Sequence, residues 1–209
     1  MKLLLTSSGI NNSSIEQAFL ELLGKPYKES HLTFIPTAAN AESGDKTWLA
    51  EDINNFRKLG FKTFDIIDIS KKSREIWLPV FENSDVLVFG GGKVNYLASC
   101  IKKLGLDKIL PELLKTKVYV GISAGSRVLN RRLILIHNGK EENVGLEIVN
   151  FSIVPHVNSK YFPERTFKNV EKESRKVLYP VYAIDDNSAV LVTDKKISVV
   201  STGKWKKFN

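Results

Sequence analysis

Residues 117–126 read Lys117-Val-Tyr-Val-Gly-Ile-Ser-Ala-Gly-Ser126, and this stretch indicates both a fold and a chemistry. The β-branched and aromatic run Val118–Val120 is typical of a buried strand, and a G-x-S-x-G sequence follows it directly. A serine at the tip of a sharp strand-to-helix turn presents its hydroxyl above the sheet edge, and the flanking glycines remove Cβ atoms that would clash. The pattern therefore predicts that Ser123 is a nucleophile, although an ordinary glycine-rich turn is the alternative reading of these five residues.

The bulk composition is that of one soluble globular domain spanning residues 1–209. Hydrophobic residues make up 43% of the chain and charged residues 26%, with a formal net charge of +8. Cys100 is the only cysteine, which excludes an intrachain disulfide and fits a reducing compartment. No apolar run is long enough for a membrane helix, so no membrane association is expected. The basic cluster Lys204–Lys207 reads as a solvated tail, and no nucleic-acid partner is expected because no recognition motif accompanies it.

Short apolar runs alternate with helical patterns, which favours a three-layer α/β fold: a mostly parallel central sheet with helices on both faces. Strands are predicted at 2–5, 32–35, 61–67, 86–89 and 118–120. Between them the sequence predicts a first helix capped by Ser13 or Ser14, further helices at 45–59, 95–103 and 106–114, and another that begins at Ser126. The spacing changes after Gly145. There the sequence predicts strands at 148–154, 181–184, 188–193 and 197–201, and a long helix at 163–178.

A second glycine-rich turn, Gly90–Gly92, follows the fourth predicted strand. Because the carboxyl ends of parallel strands meet at one sheet edge, we expect this turn and the Ser123 turn to line one crevice. The N–H groups of Ala124 and of Gly91 or Gly92 are the candidate oxyanion hole. The turn lacks the ending of a P-loop and the spacing of a dinucleotide fingerprint, so no nucleotide cofactor is predicted.

A serine nucleophile needs a base, and the chain has three histidines. His156 follows Pro155, which fixes the chain just before it, so we favour it as the base. His137 also ends an apolar run and is the second choice, whereas His31 reads as a surface residue.

The histidine in turn needs an acid that fixes its tautomer. Asp185 and Asp186 lie in a short acidic segment between two predicted strands, which would equally suit a hairpin turn. Glu141, Glu142 and Glu147 are further options. Sequence spacing does not choose among them, because such residues meet only in the fold.

Four segments in this order resemble motifs of the peptidase E and cyanophycinase family: Phe89–Gly92 with Asn95-Tyr-Leu97, Gly121–Ser126, Val154–His156 and Ala183–Ala189. The similarity spans the chain from Leu3 to about Val200. The resemblance implies a flavodoxin-like, class I glutamine-amidotransferase-like fold and a cytoplasmic serine peptidase that uses no metal and no cofactor. Small members of the family cleave dipeptides with an N-terminal aspartate, and its cyanophycinase branch cleaves β-aspartyl-arginine units.

The chain departs from the family at one position. Dipeptidase E members have an aspartate about 15 residues after the serine, where this chain has Asn138. Asp186 aligns with the glutamate of the cyanophycinase branch. We therefore predict Asp186 as the acid, with Glu147 and Glu142 as the alternatives.

The expected substrate is a small peptide, including N-terminal or β-linked aspartyl dipeptides, and the expected assembly is a monomer or homodimer. An acidic substrate needs a cation, and Arg127 is the nearest to Ser123 in sequence; its alternative reading is a solvent-exposed helix charge. Asn95, within the glycine-rich motif, is the second candidate for substrate binding. Three rival readings remain open: an esterase-type serine hydrolase, a non-catalytic binding or regulatory member of the same fold, and a cysteine amidotransferase that uses Cys100.

Overall fold

A computed structural model describes residues 1–131, 135–137, 140–142, 145–194 and 196–209. Within these residues, no helix is both long enough and apolar enough to cross a membrane.

The centre of the structure is a seven-stranded sheet in the order β11-β10-β1-β5-β4-β2-β3. Its strands are β1 (Lys2–Thr6), β2 (His31–Ile35), β3 (Thr63–Ile66), β4 (Val86–Phe89), β5 (Val118–Ile122), β10 (Ser188–Thr193) and β11 (Lys196–Ser201). The five strands from β1 to β5 are parallel to one another, and β10 and β11 run antiparallel at one edge. The prediction of a mostly parallel sheet is therefore confirmed.

Helices cover both faces of this sheet. They are α1 (Ser13–Leu23), α2 (Thr47–Lys58), α3 (Arg74–Asn83), α4 (Val94–Lys103), α5 (Leu106–Leu113) and the short α6 (Ala124–Arg127). A further helix, α7 (Phe167–Ser174), packs against a separate, smaller sheet. Alternate residues of one strand face opposite helical layers: Leu3 and Leu5 belong to the core cluster on the side of α3 to α5, and Leu4 to the cluster beneath α1 and α2. The central strands read as continuous apolar runs because both of their faces are buried.

Several element boundaries differ from the sequence-based expectation. Asn12, rather than Ser13 or Ser14, caps α1, because its Oδ1 accepts the Ile15 N–H at 3.1 Å. The long helix predicted at 163–178 is only α7, which begins after the Thr166 cap. Helix α3 was not predicted, since its interior Pro79 argues against a helix, yet it buries Trp77 and Phe81 completely.

A second, three-stranded sheet in the order β12-β9-β8 lies after the parallel core in sequence. Its strands are β8 (Ser152–Val154), β9 (Val181–Ile184) and β12 (Trp205–Phe208), so the predicted strand at 148–154 is shorter than expected. The basic segment Lys204–Lys207 is no free tail, because β12 pairs antiparallel with β9.

The acidic segment Asp185–Asp186 connects β9 of the small sheet to β10 of the large sheet. The hairpin alternative is therefore wrong, because β9 and β10 belong to different sheets. A two-stranded pair, β6 (Leu135–His137) and β7 (Lys140–Glu142), completes the described strands.

Candidate active site

Ser123 lies at the carboxyl end of β5, between the strand and α6. Its backbone has φ 49° and ψ −99°, a conformation that non-glycine residues rarely adopt. A Cβ atom on Gly121 would lie 2.6 Å from the Ser126 nitrogen, and one on Gly125 would overlap the carbonyl of Phe89. Both glycines of the G-x-S-x-G sequence are therefore required for the close approach of α6 to β4 and β5, which gives this turn the geometry of a nucleophile elbow.

Hydrogen bonds to Thr6 hold the elbow against the end of β1. The Ser123 N–H and the Ser126 hydroxyl donate to the Thr6 carbonyl at 3.1 and 2.8 Å. The buried Tyr119 hydroxyl donates to the Gly125 carbonyl at 2.6 Å. These buried bonds hold an unfavourable backbone conformation in place, as is common for functional turns.

His156 brings its imidazole to the serine from the small sheet. It follows β8, has a φ of 62°, and its Nε2 lies 2.8 Å from the Ser123 Oγ. The His156 N–H donates to the Ser7 Oγ at 2.9 Å, and the next residue, Val157, donates its N–H to the Ile184 carbonyl at 3.1 Å. The ring is thus positioned by contacts to both sheets.

Asp186 lies on the far side of the imidazole, with its Oδ1 2.5 Å from the His156 Nδ1. The same oxygen accepts the hydroxyls of Ser7 and Ser8 at 2.8 and 2.9 Å. Partial burial alone would raise the pKa of Asp186, but the hydrogen bonds from His156, Ser7 and Ser8 and the charge of His156 lower it to about 2.

The ionised state of Asp186 also sets the tautomer of the histidine. A carboxylate can only accept hydrogen bonds, so Nδ1 of His156 carries a proton and donates to it. In the neutral ring Nε2 is then the acceptor, and the Ser123 hydroxyl donates to it. This arrangement can move a proton from serine to histidine, the first requirement of nucleophilic catalysis.

An aromatic stack backs the imidazole. The Phe162 ring lies parallel to the His156 ring, with centroids 4.6 Å apart and planes 12° apart. The guanidinium carbon of Arg165 lies 4.1 Å from the centroid of the Phe162 ring, and Arg165 Nη1 donates to the Pro155 carbonyl at 3.4 Å. Since Arg165 is only 5% exposed, this stack restricts how far the imidazole can rotate.

Two of the predicted oxyanion donors, Ala124 and Gly91, lie close to the serine, whereas Gly92 lies against Ala38. Ala124 is the first residue of α6, so its N–H is free of intrahelical bonding. The added Cβ of Gly91 would lie 3.8 Å from the Ser123 Cβ. The Gly90 N–H donates to the Ile35 carbonyl at 3.0 Å, whereas no hydrogen bond from Gly91 or Gly92 N–H is found among the described residues. Gly92 has a φ of 126° and lies too close to Ala38 for any Cβ.

Of the candidate acids, the structure brings Asp186 to His156. Glu147 is exposed and makes no hydrogen bond to His156 among the described residues. The backbone of Glu142 lies in β7, and nothing is described of its side chain. Asn138 lies outside the described residues.

The two predicted substrate-binding residues differ in exposure. Asn95 is exposed in the first turn of α4, close in sequence to Gly91 and Gly92. Arg127 is only 4% exposed, in α6 directly behind Ser123, so the alternative reading as a solvent-exposed helix charge is wrong. The alternative nucleophile Cys100 lies within α4 and packs partly buried against the large core cluster.

Sequence reasoning missed Ser7, Ser8 and Phe162. Ser7 and Ser8 follow β1, and polar residues at the carboxyl end of a central parallel strand are a recognisable signal of a site. Phe162 had no such signal, because its contact with His156 depends on the path of the loop between β8 and α7. Among the described residues, no group of three or more His, Cys, Asp or Glu side chains could hold a metal ion.

Residues 3–200 of the chain match the family model described as "Peptidase family S51". An uncharacterized peptidase of Listeria innocua serovar 6a is 27% identical over 183 residues, covering 83% of this chain and 86% of the relative. An uncharacterized peptidase of Listeria monocytogenes EGD-e is 29% identical over 176 residues, covering 79% and 83%. The crystal structure of a candidate peptidase E protein from the same organism superposes with a TM-score of 0.77 at 24% identity, covering 97% of this chain and 98% of the other, which supports the fold. With nearly its whole length matched by the family model, the chain belongs to peptidase family S51.

Proposed function

We propose that this protein is a serine peptidase that hydrolyses short peptides, with Ser123 as nucleophile, His156 as base and Asp186 as the acid behind it. One observation carries the proposal: a continuous chain of hydrogen-bond contacts runs from Asp186 through His156 to Ser123, at 2.5 and 2.8 Å. Family membership supports a peptidase. The geometry of an activated serine supports acyl transfer as its chemistry.

In the acylation step, the Ser123 Oγ attacks the scissile carbonyl carbon as His156 Nε2 takes the hydroxyl proton. The carbonyl π electrons move to its oxygen and give a tetrahedral oxyanion. When this intermediate collapses, the C–N bond breaks and the proton on Nε2 goes to the leaving amine nitrogen. Asp186 stabilises the positive charge that the imidazole carries between these two transfers.

In the deacylation step, water replaces the amine. His156 Nε2 accepts a proton from the water as its oxygen attacks the ester carbonyl of the acyl-Ser123. The C–Oγ bond then breaks, and the proton returns to Ser123. The products are a carboxylate and an amine, and the free enzyme is regenerated.

The oxyanion would be held by backbone N–H groups of Ala124 and of Gly91 or Gly92. Two features favour these donors. A Cβ on Gly91 would lie 3.8 Å from the Ser123 Cβ, so the turn is close to the serine, and Ala124 is the first residue of α6, so its N–H has no intrahelical partner. Each such donor contributes about 10²- to 10³-fold to the rate in comparable sites.

The proposed substrates are short peptides with an acidic residue, including N-terminal or β-linked aspartyl dipeptides. Arg127 would supply the cation for the acidic group, and Asn95 would supply a polar contact. The position of Arg127 within one helical turn of Ser123 favours this role, because a guanidinium can bind a carboxylate through two parallel hydrogen bonds.

The test is Ser123→Ala in an assay that follows amine release from a panel of dipeptides, including aspartyl dipeptides. We expect turnover to fall by about 10⁴-fold or more, because the covalent intermediate cannot form. Cys100→Ala is the matched control and should keep full activity. Undiminished turnover by Ser123→Ala would end the proposal, and wild-type cleavage of p-nitrophenyl esters with no dipeptide cleavage would favour an esterase instead.

A further inference from the structure

Asp52 is an acidic side chain near the elbow that the mechanism above does not use. It lies on α2, one helical turn after Trp48, so the two side chains lie on the same face of the helix. A Cβ added to Gly91 would meet the Trp48 ring at 3.3 Å and the Ser123 Cβ at 3.8 Å. The helix therefore forms a wall of the crevice above Ser123.

The Asp52 carboxylate lies farther along the same wall. Its Oδ1 would be 3.0 Å from a Cβ on Gly9, and the Ile122 Cδ1 would be 3.6 Å from that same point. Gly9 directly follows Ser7 and Ser8, which hold Asp186, and Ile122 directly precedes the nucleophile. Asp52 thus lies against Gly9, at the point where the Ile122 side chain also reaches the segment that holds Asp186.

Nothing in the described part of the chain neutralises this carboxylate. It accepts no hydrogen bond and forms no ion pair there, and the charge that acts on its pKa is that of the like-charged Glu51. Burial, and then the charge of Glu51, raise the pKa of Asp52 to about 7. A carboxylate in such a place gains more from an incoming cation than an exposed one does, because it has little hydration to lose.

We propose that Asp52 binds a positively charged group of the peptide substrate, its α-ammonium or a basic side chain, and so helps to select the peptides that Ser123 cleaves. This inference rests on the proposed function, because it concerns the substrate of the same site. The α-ammonium is the simpler source, since in a dipeptide only one Cα atom separates it from the scissile carbonyl carbon. With Arg127 as partner for an acidic group, the two side chains would read the opposite charges of a zwitterionic peptide.

The experiment measures binding by calorimetry in the Ser123→Ala background, so that it does not depend on turnover. Dipeptides with a free amine are compared with their N-acetylated forms, each against Ser123→Ala and Ser123→Ala/Asp52→Asn. Glu51→Gln in the same background is the matched control, because it removes a neighbouring exposed charge. Dipeptides with a lysine or arginine residue, again free and acetylated, separate the α-ammonium from a basic side chain.

We expect Asp52→Asn and N-acetylation each to weaken binding by roughly 10- to 100-fold, and the double change to weaken it no further, because both remove the same ion pair. If the loss in Asp52→Asn instead follows the lysine or arginine side chain and survives acetylation, the basic side chain is the group bound. Glu51→Gln should bind like its parent.

Fully additive effects of Asp52→Asn and of removing the cation would overturn the proposal, as would failure of every cationic dipeptide to bind. Failure of the proposed function has a different signature. Cationic peptides would then bind with the expected dependence on Asp52, yet the wild-type protein would not cleave them.

Discussion

The nucleophile elbow and the histidine–aspartate pair are built in opposite ways. The elbow is local: Gly121 to Gly125 are consecutive, and their conformation follows from a strand, two glycines and a short helix. The pair is assembled from distant segments, because His156 follows a strand of the small sheet and Asp186 lies just before β10 of the large sheet. The serine can therefore be recognised from five residues, whereas its partners depend on how two sheets pack together.

Among the substitutions that compare these two regions, the largest loss of activity is expected when the His156–Asp186 pair is broken. Asp186→Asn should lower kcat for peptide cleavage by about 10³- to 10⁴-fold, because an amide allows the wrong imidazole tautomer and cannot stabilise the imidazolium. Steady-state kinetics on a cleaved dipeptide, with the exposed Asn187→Ala as control, measures this. A loss below tenfold would show that another carboxylate completes the site.

Because the pKa of Asp186 is lowered to about 2, the carboxylate stays ionised across the working range of the enzyme. The acid limb of the pH–rate profile above about pH 4 should therefore not come from Asp186, which loses its charge only as the pH falls through about 2. An inflection near pH 4 that disappears in Asp186→Asn would contradict the assignment.

The next prediction concerns a substitution in the local region, the Gly121–Gly125 turn. Gly125→Ala places a Cβ against the Phe89 carbonyl, so we expect a loss of more than about 3 kcal/mol in the free energy of unfolding, or no folded protein. Gly60→Ala is the matched control. It has a φ of 76° but open space around it, so only backbone strain of about 1 kcal/mol is expected. Urea denaturation distinguishes the two, and equal losses would mean that the elbow is not sterically fixed.

Asp52 lies against Gly9, beside the two serines that contact Asp186, and its charge should affect stability with a defined sign. Its raised pKa, about 7 in the folded protein, means that folding favours the neutral form. Wild-type stability should therefore fall, relative to Asp52→Asn, as the pH rises from about 4 to about 7. At pH 8 we expect Asp52→Asn to be more stable by on the order of 4 kcal/mol, and at pH 4 the two should be nearly equal. A difference that does not change with pH would rule out this reading of Asp52.

The smallest expected losses of kcat come from removing the hydroxyl of either serine that hydrogen-bonds to Asp186. Ser7 also accepts the His156 N–H, whereas Ser8 contacts only the carboxylate. Ser7→Ala should therefore lower kcat by about tenfold and Ser8→Ala by about threefold, since a hydrogen bond to a charged group contributes about 1–2 kcal/mol at most. Equal effects would show that the His156 N–H needs no partner.

The sequence predicted what short-range physics controls. The parallel core, the Ser123 turn and the glycine-rich turn at Gly90–Gly92 all follow from apolar runs that end in residues with special backbone freedom. Helix α3 was missed because Pro79 masks it, and β12 because its exposed lysines read as a tail.

No rule of sequence spacing predicts that His156 and Asp186 form a pair. Thirty residues and a complete helix separate them, and only the packing of the small sheet against the large one brings them together. The resemblance to the peptidase E and cyanophycinase family favoured Asp186 in advance. Nothing in the sequence marked Asp52, because an acidic residue in a helix is usually interpreted as a solvated charge. Its burial depends on how α2 packs against the rest of the fold.

The most direct test of the central claim is site-specific labelling of the folded protein with a fluorophosphonate, followed by peptide mass spectrometry. Ser123 should be the residue modified in the wild-type protein, and the labelling rate should fall steeply in His156→Gln and in Asp186→Asn. Absence of label on Ser123, or the same labelling rate in all three proteins, would contradict the claim that Asp186 and His156 activate this serine.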